Sequence, residues 1–285
     1  MNVSIRPVAA ADVSACATIC YEAFREIAER HSFPPDVPSP EVAAGFLSHM
    51  VGRPGFFAIL AEVNGQIVGS NFMDERARVA GLGPITIDPA VQNKTVGRRL
   101  MDAALARAEE SGRAGVRLLQ VAYHNRSLCL YAKLGFAAVD IISAMQGPRM
   151  SIEIPDRTVR SAKSDDMEAC KELCRTAHGF DRADELRDTV AAGMANVVEH
   201  HGRVTGYSTS VGYFGHSVAA SHDDLKALIA AAPEFTGLGL LLPTRNSEVF
   251  RWCLDQGLRL VQQMVLMARG EYREPDLPYM PSIHY

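Results

Sequence analysis

The chain has 285 residues, 47% of them hydrophobic and 22% charged, with a formal net charge of −4. That balance excludes a disordered or fibrous chain and leaves length enough for two cores. The mild acidity and the lack of a dense Lys/Arg run exclude a general nucleic-acid binder, and no stretch reaches the roughly 18 consecutive apolar residues of a membrane helix.

Taken in order, Val3 to Arg6 reads as a short strand and Asp12 as the N-cap of a helix. Val13, Cys16, Ala17, Cys20, Ala23, Phe24 and Ile27 carry that helix's apolar face. Four prolines between positions 33 and 40 forbid a regular helix there. A second helix is expected over Glu41 to Met50. Phe56 to Val63 and Gln66 to Met73 read as a hairpin turning at Asn64-Gly65. Leu82 to Ile87 is a further strand, ended by Asp88-Pro89. A helix follows over Val96 to Ser111, with Gly97, Leu100, Met101, Ala104, Leu105 and Ala108 on one arc. Val116 to Ala122 reads as a buried strand. A helix capped by Asn125 or Ser127 stops at Gly135, and Phe136 to Ala144 closes the series.

The order then repeats. A shift of 154 residues places Arg6 on Arg160, Asp12 on Asp166, Cys16 on Cys170 and Cys20 on Cys174. His200 to Gly206 echoes Asn64 to Gly69, and Trp252 to Leu258 echoes Leu130 to Phe136. A duplicated domain explains this, with the boundary in the Gly/Pro-containing segment Gln146 to Asp156. The domains expected are residues 1–146 and 157–285. Within the second, Tyr207 to Gly212 is expected as a strand. The tail, Glu271 to Tyr285, is rich in Pro and aromatic residues and is expected to lie on the protein surface. None of the six cysteines forms a C-x-x-C pair and no His clusters with them, so buried free thiols are expected and no metal site. Met1 to Pro7 has no apolar segment of signal-peptide type, which gives the expectation of a cytoplasmic protein with no membrane partner.

The stretch Ile85 to Leu100 carries the chemistry. It runs from strand through turn to a helix start, where unpaired N–H groups suit a phosphate. Gly97 permits close backbone approach, and Lys94, Arg98 and Arg99 add positive charge. Ile87, Pro89, Gln92 and Gly97 fit the pattern Val-x-Pro-x-x-Gln/Arg-x-x-Gly-x-Gly/Ala, so the stretch resembles the acetyl-CoA signature of the GCN5-related N-acetyltransferases (GNAT). Thr95 stands where the first glycine is usual. The resemblance covers Val3 to Ser143. It implies an α/β fold of two tandem acyl-CoA N-acyltransferase domains, each a mixed, mostly antiparallel sheet flanked by helices. It also implies acetyl-CoA as cosubstrate. Asn93, Lys94, Thr95, Val96, Gly97 and Arg98 would hold the pyrophosphate with Gln92, while Ile85, Thr86 and Ile87 would pair with the pantetheine arm.

A second block, Asn125 to Phe136, extends the resemblance. An Asn at the place of Asn125 helps hold CoA in the family, and Tyr131, four residues before Gly135-Phe136, stands where the family places a general acid. A phenol within reach can protonate the thiolate that an attacking amine expels. The general base stays open: Asp74, Glu75 and His124 are candidates, and His31 is a candidate for lining the acceptor pocket. The second half lacks the signature and has Cys253 where the first has Tyr131, so it reads as a degenerate copy that roofs the pocket or stabilises the first domain. The function implied is N-acetylation of a primary amine of a small molecule. A protein amine as acceptor, a non-catalytic acyl-CoA sensor or scaffold, and a nucleotide-binding protein are the alternatives. A terminal carboxylate on Tyr285 acting as base and a homodimer are further readings left open.

Overall fold

The computed structural model describes residues 2–92, 95–150 and 152–284. The N-terminal half contains β1 (Val3–Pro7), α1 (Val13–Arg30), α2 (Pro40–Met50), β2 (Phe56–Val63), β3 (Gln66–Asp74), β4 (Val79–Ile87), α3 (Val96–Glu110), β5 (Gly115–Val121), α4 (Asn125–Lys133) and β6 (Ala137–Gln146). The C-terminal half contains β7 (Arg157–Ser161), α5 (Met167–His178), α6 (Ala183–Ala191), β8 (Asn196–His200), β9 (Arg203–Ser208), β10 (Ser217–Ala219), α7 (His222–Ala231), β11 (Leu240–Pro243), α8 (Ser247–Asp255), β12 (Arg259–Gly270) and β13 (Tyr279–Met280).

Local chemistry sets several of these bounds. Ser39 caps α2 by accepting from the Val42 N–H at 3.3 Å, and Pro40 occupies the first turn, where a missing N–H is harmless. Asn64 and Gly65 have φ of 51° and 77°, the left-handed pair of a two-residue hairpin turn between β2 and β3. Asp12 does not cap α1 with its side chain as expected. Its Oδ2 instead accepts from the Ala9 N–H (2.8 Å) and from Arg6 Nη1 (2.6 Å), while Arg6 Nε reaches Glu62 at 3.0 Å. The duplicate residues build the same cluster. Asp166 accepts from the Lys163 N–H (2.7 Å) and from Arg160 (2.7 Å), which also binds Glu199 at 2.9 Å.

The strands form two sheets, in the orders β1-β2-β3-β4-β5-β12-β6-β11 and β13-β10-β9-β8-β7. Among the described strands every pair is antiparallel except β4 with β5. The sheets do not follow the division into residues 1–146 and 157–285. Strand β12 fills the slot between β5 and β6, with Met264 opposite both Val121 and Ile142, and β11 lies outside β6. Burial on both faces explains why β12 is an interior strand. Met264 and Leu266 pack with Val79, Val121 and Ile142, whereas Met267 packs with Val116 and Leu118. Each such side chain, taken out of water, contributes about 1.5–3 kcal/mol.

Alternation along β3 puts helices on both faces of the larger sheet. Phe72 packs with Cys16, Cys20 and Leu47 from α1 and α2, and Met73 packs with Met101, Ala104 and Leu105 of α3. In the second half, the strand expected over Tyr207 to Gly212 ends at Ser208, after which the Thr209 hydroxyl accepts from the His216 N–H at 2.9 Å to form a loop. The tail lies at the surface only in its first part, where Glu271, Arg273, Glu274 and Asp276 are exposed. Tyr279 and Met280 pair with β10, and Tyr279, Met280 and Ser282 are buried. Five of the cysteines are buried free thiols, and Cys129 is exposed. No helix among the described residues is long and apolar enough to cross a membrane.

Candidate active site

The site begins where two strands part. β4 pairs with β5 only from Val79 opposite Gly115 to Gly81 opposite Arg117. An irregularity opposite Asn71–Met73 shifts the register between Leu82 and Ile85, and such a bulge bends a strand. Beyond it, Ile85 to Ile87 stay paired with β3 on one edge, while β5 stays paired with β12. The opening between β4 and β5 is occupied by a cavity of about 380 Å³.

Ile85, Thr86, Ile87, Gln92, Thr95, Val96, Gly97 and Arg98 all line this cavity. Asn93 and Lys94, also expected there, lie outside the described residues, as does Tyr285. Thr95 adopts φ 68°, ψ −7°, a left-handed conformation disfavoured for a β-branched residue. That is the physical reason glycine is usual at this place. A Cβ on Gly97 would come within 3.2 Å of Ile87 Cδ1, so the helix start packs directly on the strand. Gln92 ties the turn together: its Nε2 donates to the Ile87 carbonyl at 3.2 Å, and its Oε1 accepts from Arg126. Arg98 is exposed and pairs with Asp102 at 3.4 Å. Asn125 is exposed at the start of α4 and is not part of the cavity wall.

Tyr131 is buried against Leu118, Leu134 and Phe136 and also lines the cavity. Burial pushes its phenol up to about 12, against a hydrogen bond with Ser127. Neither Asn125 nor Ser127 caps α4; His124 is the N-cap residue, and the Ser127 hydroxyl lies 2.6 Å from His124 Nδ1. The three side chains follow helical spacing, so one face of α4 carries a chain from Tyr131 through Ser127 to His124. Burial, with Arg126 nearby, lowers His124 to about 4, so it is neutral at pH 7. The other candidate bases are engaged elsewhere. Asp74 binds Arg76 at 2.9 Å, and Glu75 binds Arg107 at 2.9 Å. His31 is exposed, stacks on Tyr123 at 5.1 Å and is not in the cavity wall.

The structure adds residues that local sequence patterns did not single out. Asp36, from the Pro-rich loop, lines the cavity and accepts from the Tyr213 hydroxyl at 2.8 Å and from Gln262 Nε2 at 3.1 Å. Burial raises its carboxyl above the usual carboxylate range, against these two hydrogen bonds. Gln120 of β5 lines the cavity with both polar side-chain atoms buried and unpartnered among the described residues. Tyr213, Phe214, Ile283 and His284 bring the C-terminal half and the tail into the wall. In the second half, Cys253 is fully buried in an apolar core, which raises its thiol, and it does not line this cavity.

Residues 54–138 match the family model of the acetyltransferase (GNAT) domain. Nearly the whole chain is similar to a protein from Pyrococcus horikoshii, at 18% identity, covering 94% of this chain and 89% of the other with a TM-score of 0.72. It is also similar to a GCN5-related N-acetyltransferase from Sphaerobacter thermophilus (14% identity, 95% and 96% covered, TM-score 0.62). A tandem GNAT protein from the clavulanic acid biosynthesis pathway matches at 13% identity, 94% and 98% covered, with a TM-score of 0.58. At these identities the likeness is one of fold: an α/β fold of two tandem GNAT domains. Among curated proteins none matches the chain in sequence.

Proposed function

We propose that the protein transfers an acetyl group from acetyl-coenzyme A to the primary amine of a small molecule. The observation that carries this reading is that one cavity joins the N-terminus of α3 to the phenol of Tyr131. The residues fit the donor. N–H groups in the first turn of a helix have no partner within the helix, so the start of α3 favours a pyrophosphate. The open edge at Ile85 to Ile87 offers backbone groups to an extended pantetheine arm, and the unpartnered amide of Gln120 suits one of that arm's amides.

The donor supplies an activated acetyl thioester. The protein's tasks are to position the amine, to hold the developing negative oxygen with strand amides, and to move protons. An ammonium with a pKa of about 10 must lose a proton before it attacks. Tyr131 is protonated at neutral pH, because burial holds it high, and it gives its proton to the departing sulfur. The N–H proton shed as the C–N bond forms then restores the phenol. The walls contributed by α1, α2, Tyr213 and the tail enclose the acceptor end, which supports a small amine over a lysine on a protein surface.

Acetyl-CoA-dependent thiol release against a panel of amines and peptides, with product mass as the second readout, tests the reading. Acetylation of small amines is the expected result. CoA binding with no acetylation of any amine or peptide would replace it with a CoA-binding sensor.

A further inference from the structure

The acceptor end of the cavity has a specific electrostatic composition. Two carboxylates stand in the wall, Glu26 and Asp36. Glu26 is paired with Arg30 one turn along α1. Asp36 is held by neutral donors, the Tyr213 hydroxyl and the Gln262 amide, one on each oxygen. Each carboxylate oxygen therefore keeps accepting capacity for a ligand. Among the described residues the other charged side chains in the wall, Arg30, Arg98 and Arg126, are cationic. The wall also carries the apolar and aromatic side chains of Phe24, Val37, Phe46, Phe214, Met264 and Ile283.

Resting on the acetyltransfer reading above, we propose that Asp36 binds the acceptor's ammonium and serves as the catalytic base, and that the acceptor is a monoamine with an apolar, aromatic body. A single ammonium taken out of water here meets one unneutralised carboxylate. A second positive charge on the same molecule would be buried against hydrocarbon and arginines, with no further carboxylate in the wall among the described residues except Glu26, already paired with Arg30, which is costly. Polyamines and multiply charged amino sugars are thereby disfavoured, and an aryl ring gains contact with the phenylalanines.

The proton balance closes. Asp36 takes one proton from the ammonium and passes it to water. The freed nitrogen lone pair forms the C–N bond, the C–S bond breaks, and Tyr131 protonates the sulfur. The second N–H proton returns to Tyr131. The inference also gives the C-terminal half a task, since Tyr213 and Gln262 fix the base's position.

The test compares the full-length protein with Asp36→Asn on 2-phenylethylamine, spermidine and glucosamine. The amide is isosteric; its oxygen can accept from Tyr213, and Gln262 can turn its own amide to match. We expect kcat/KM for 2-phenylethylamine to exceed that for the other two by about 10-fold or more. Asp36→Asn should lower it by about 10²–10⁴-fold, with CoA affinity and unfolding midpoint retained. If that variant does not fold, Tyr213→Phe serves. It removes a hydrogen bond that favours the ionised carboxylate, so the acid limb of kcat/KM should move to higher pH; an unmoved limb overturns the proposal. Preference for spermidine or glucosamine, or an unchanged rate in Asp36→Asn, overturns it and leaves acetyltransfer standing. CoA binding with no amine acetylated removes both.

Discussion

Replacing Gly81 with alanine tests how the tail is seated over the catalytic sheet. A Cβ built on Gly81 lies 1.8 Å from the His284 carbonyl oxygen and 2.9 Å from its carbon, where ordinary contact begins at 3.4 Å. The obstacle is backbone, so no side-chain rotation relieves it, and the segment ending at His284 must move. That movement breaks the hydrogen bond from the Ile283 N–H to the Tyr213 carbonyl, 2.9 Å long. It also exposes Ser282 and part of Ile283. The lost bond costs about 0.5–1.5 kcal/mol, and forced displacement of packed groups brings the total to about 1–3 kcal/mol. In a chain of this size that lowers the melting temperature by roughly 2–5 °C. Because Ile283 and His284 line the cavity, KM for the acceptor should also rise. Thermal unfolding, limited proteolysis of the C-terminus and steady-state kinetics read the three effects. Gly45→Ala is the control: its Cβ meets nothing within 4 Å on α2, and it should stabilise by about 0.5–1 kcal/mol. A Gly81→Ala protein that melts with the wild type and keeps its tail protected would refute this reasoning.

Thr95→Gly removes a left-handed strain worth about 1–2 kcal/mol, partly offset by the freer unfolded chain. It should raise stability by up to about 1 kcal/mol in urea unfolding, and a clear loss would mean that Thr95's side-chain contacts outweigh its backbone cost. The pH profile of kcat/KM should show an acid limb above the usual carboxylate range, because burial raises Asp36 and the base must be ionised: activity rises with pH through that value. The ionisable groups whose charges couple to Asp36, namely Tyr213, Tyr123 and Cys20, are raised by burial and stay neutral there. His124→Gln should leave the limb in place, since His124 is already neutral above about 4; disappearance of the limb in that variant would reassign the base.

Local patterns made much of the N-terminal half legible. The Asn64-Gly65 turn, the apolar arcs of α1 and α3, and the strand–turn–helix around Gly97 depend on neighbours within a few residues. The duplicated Arg–Asp pairs were visible as a repeat because both partners sit six residues apart in each copy. Asp36 was not legible. It lies in a loop without periodicity, and its partners Tyr213 and Gln262 are 177 and 226 positions away. The insertion of β12 between β5 and β6 was hidden for a similar reason: an apolar strand shows that it will be buried, not which sheet will receive it. The surface expectation for the tail failed at Tyr279 and Met280 because β10 offered an edge for them to complete, a pairing no local pattern shows.

The most direct test of the account is Tyr131→Phe, measured by thiol release at saturating acetyl-CoA and amine. The ring's packing against Leu118 and Phe136 survives the change, and Ser127 keeps His124 as a partner. The account predicts a kcat reduced by about 10²-fold or more with unaltered CoA affinity and melting temperature. A kcat within about two-fold of wild type would contradict it and leave Tyr131 as a packing residue.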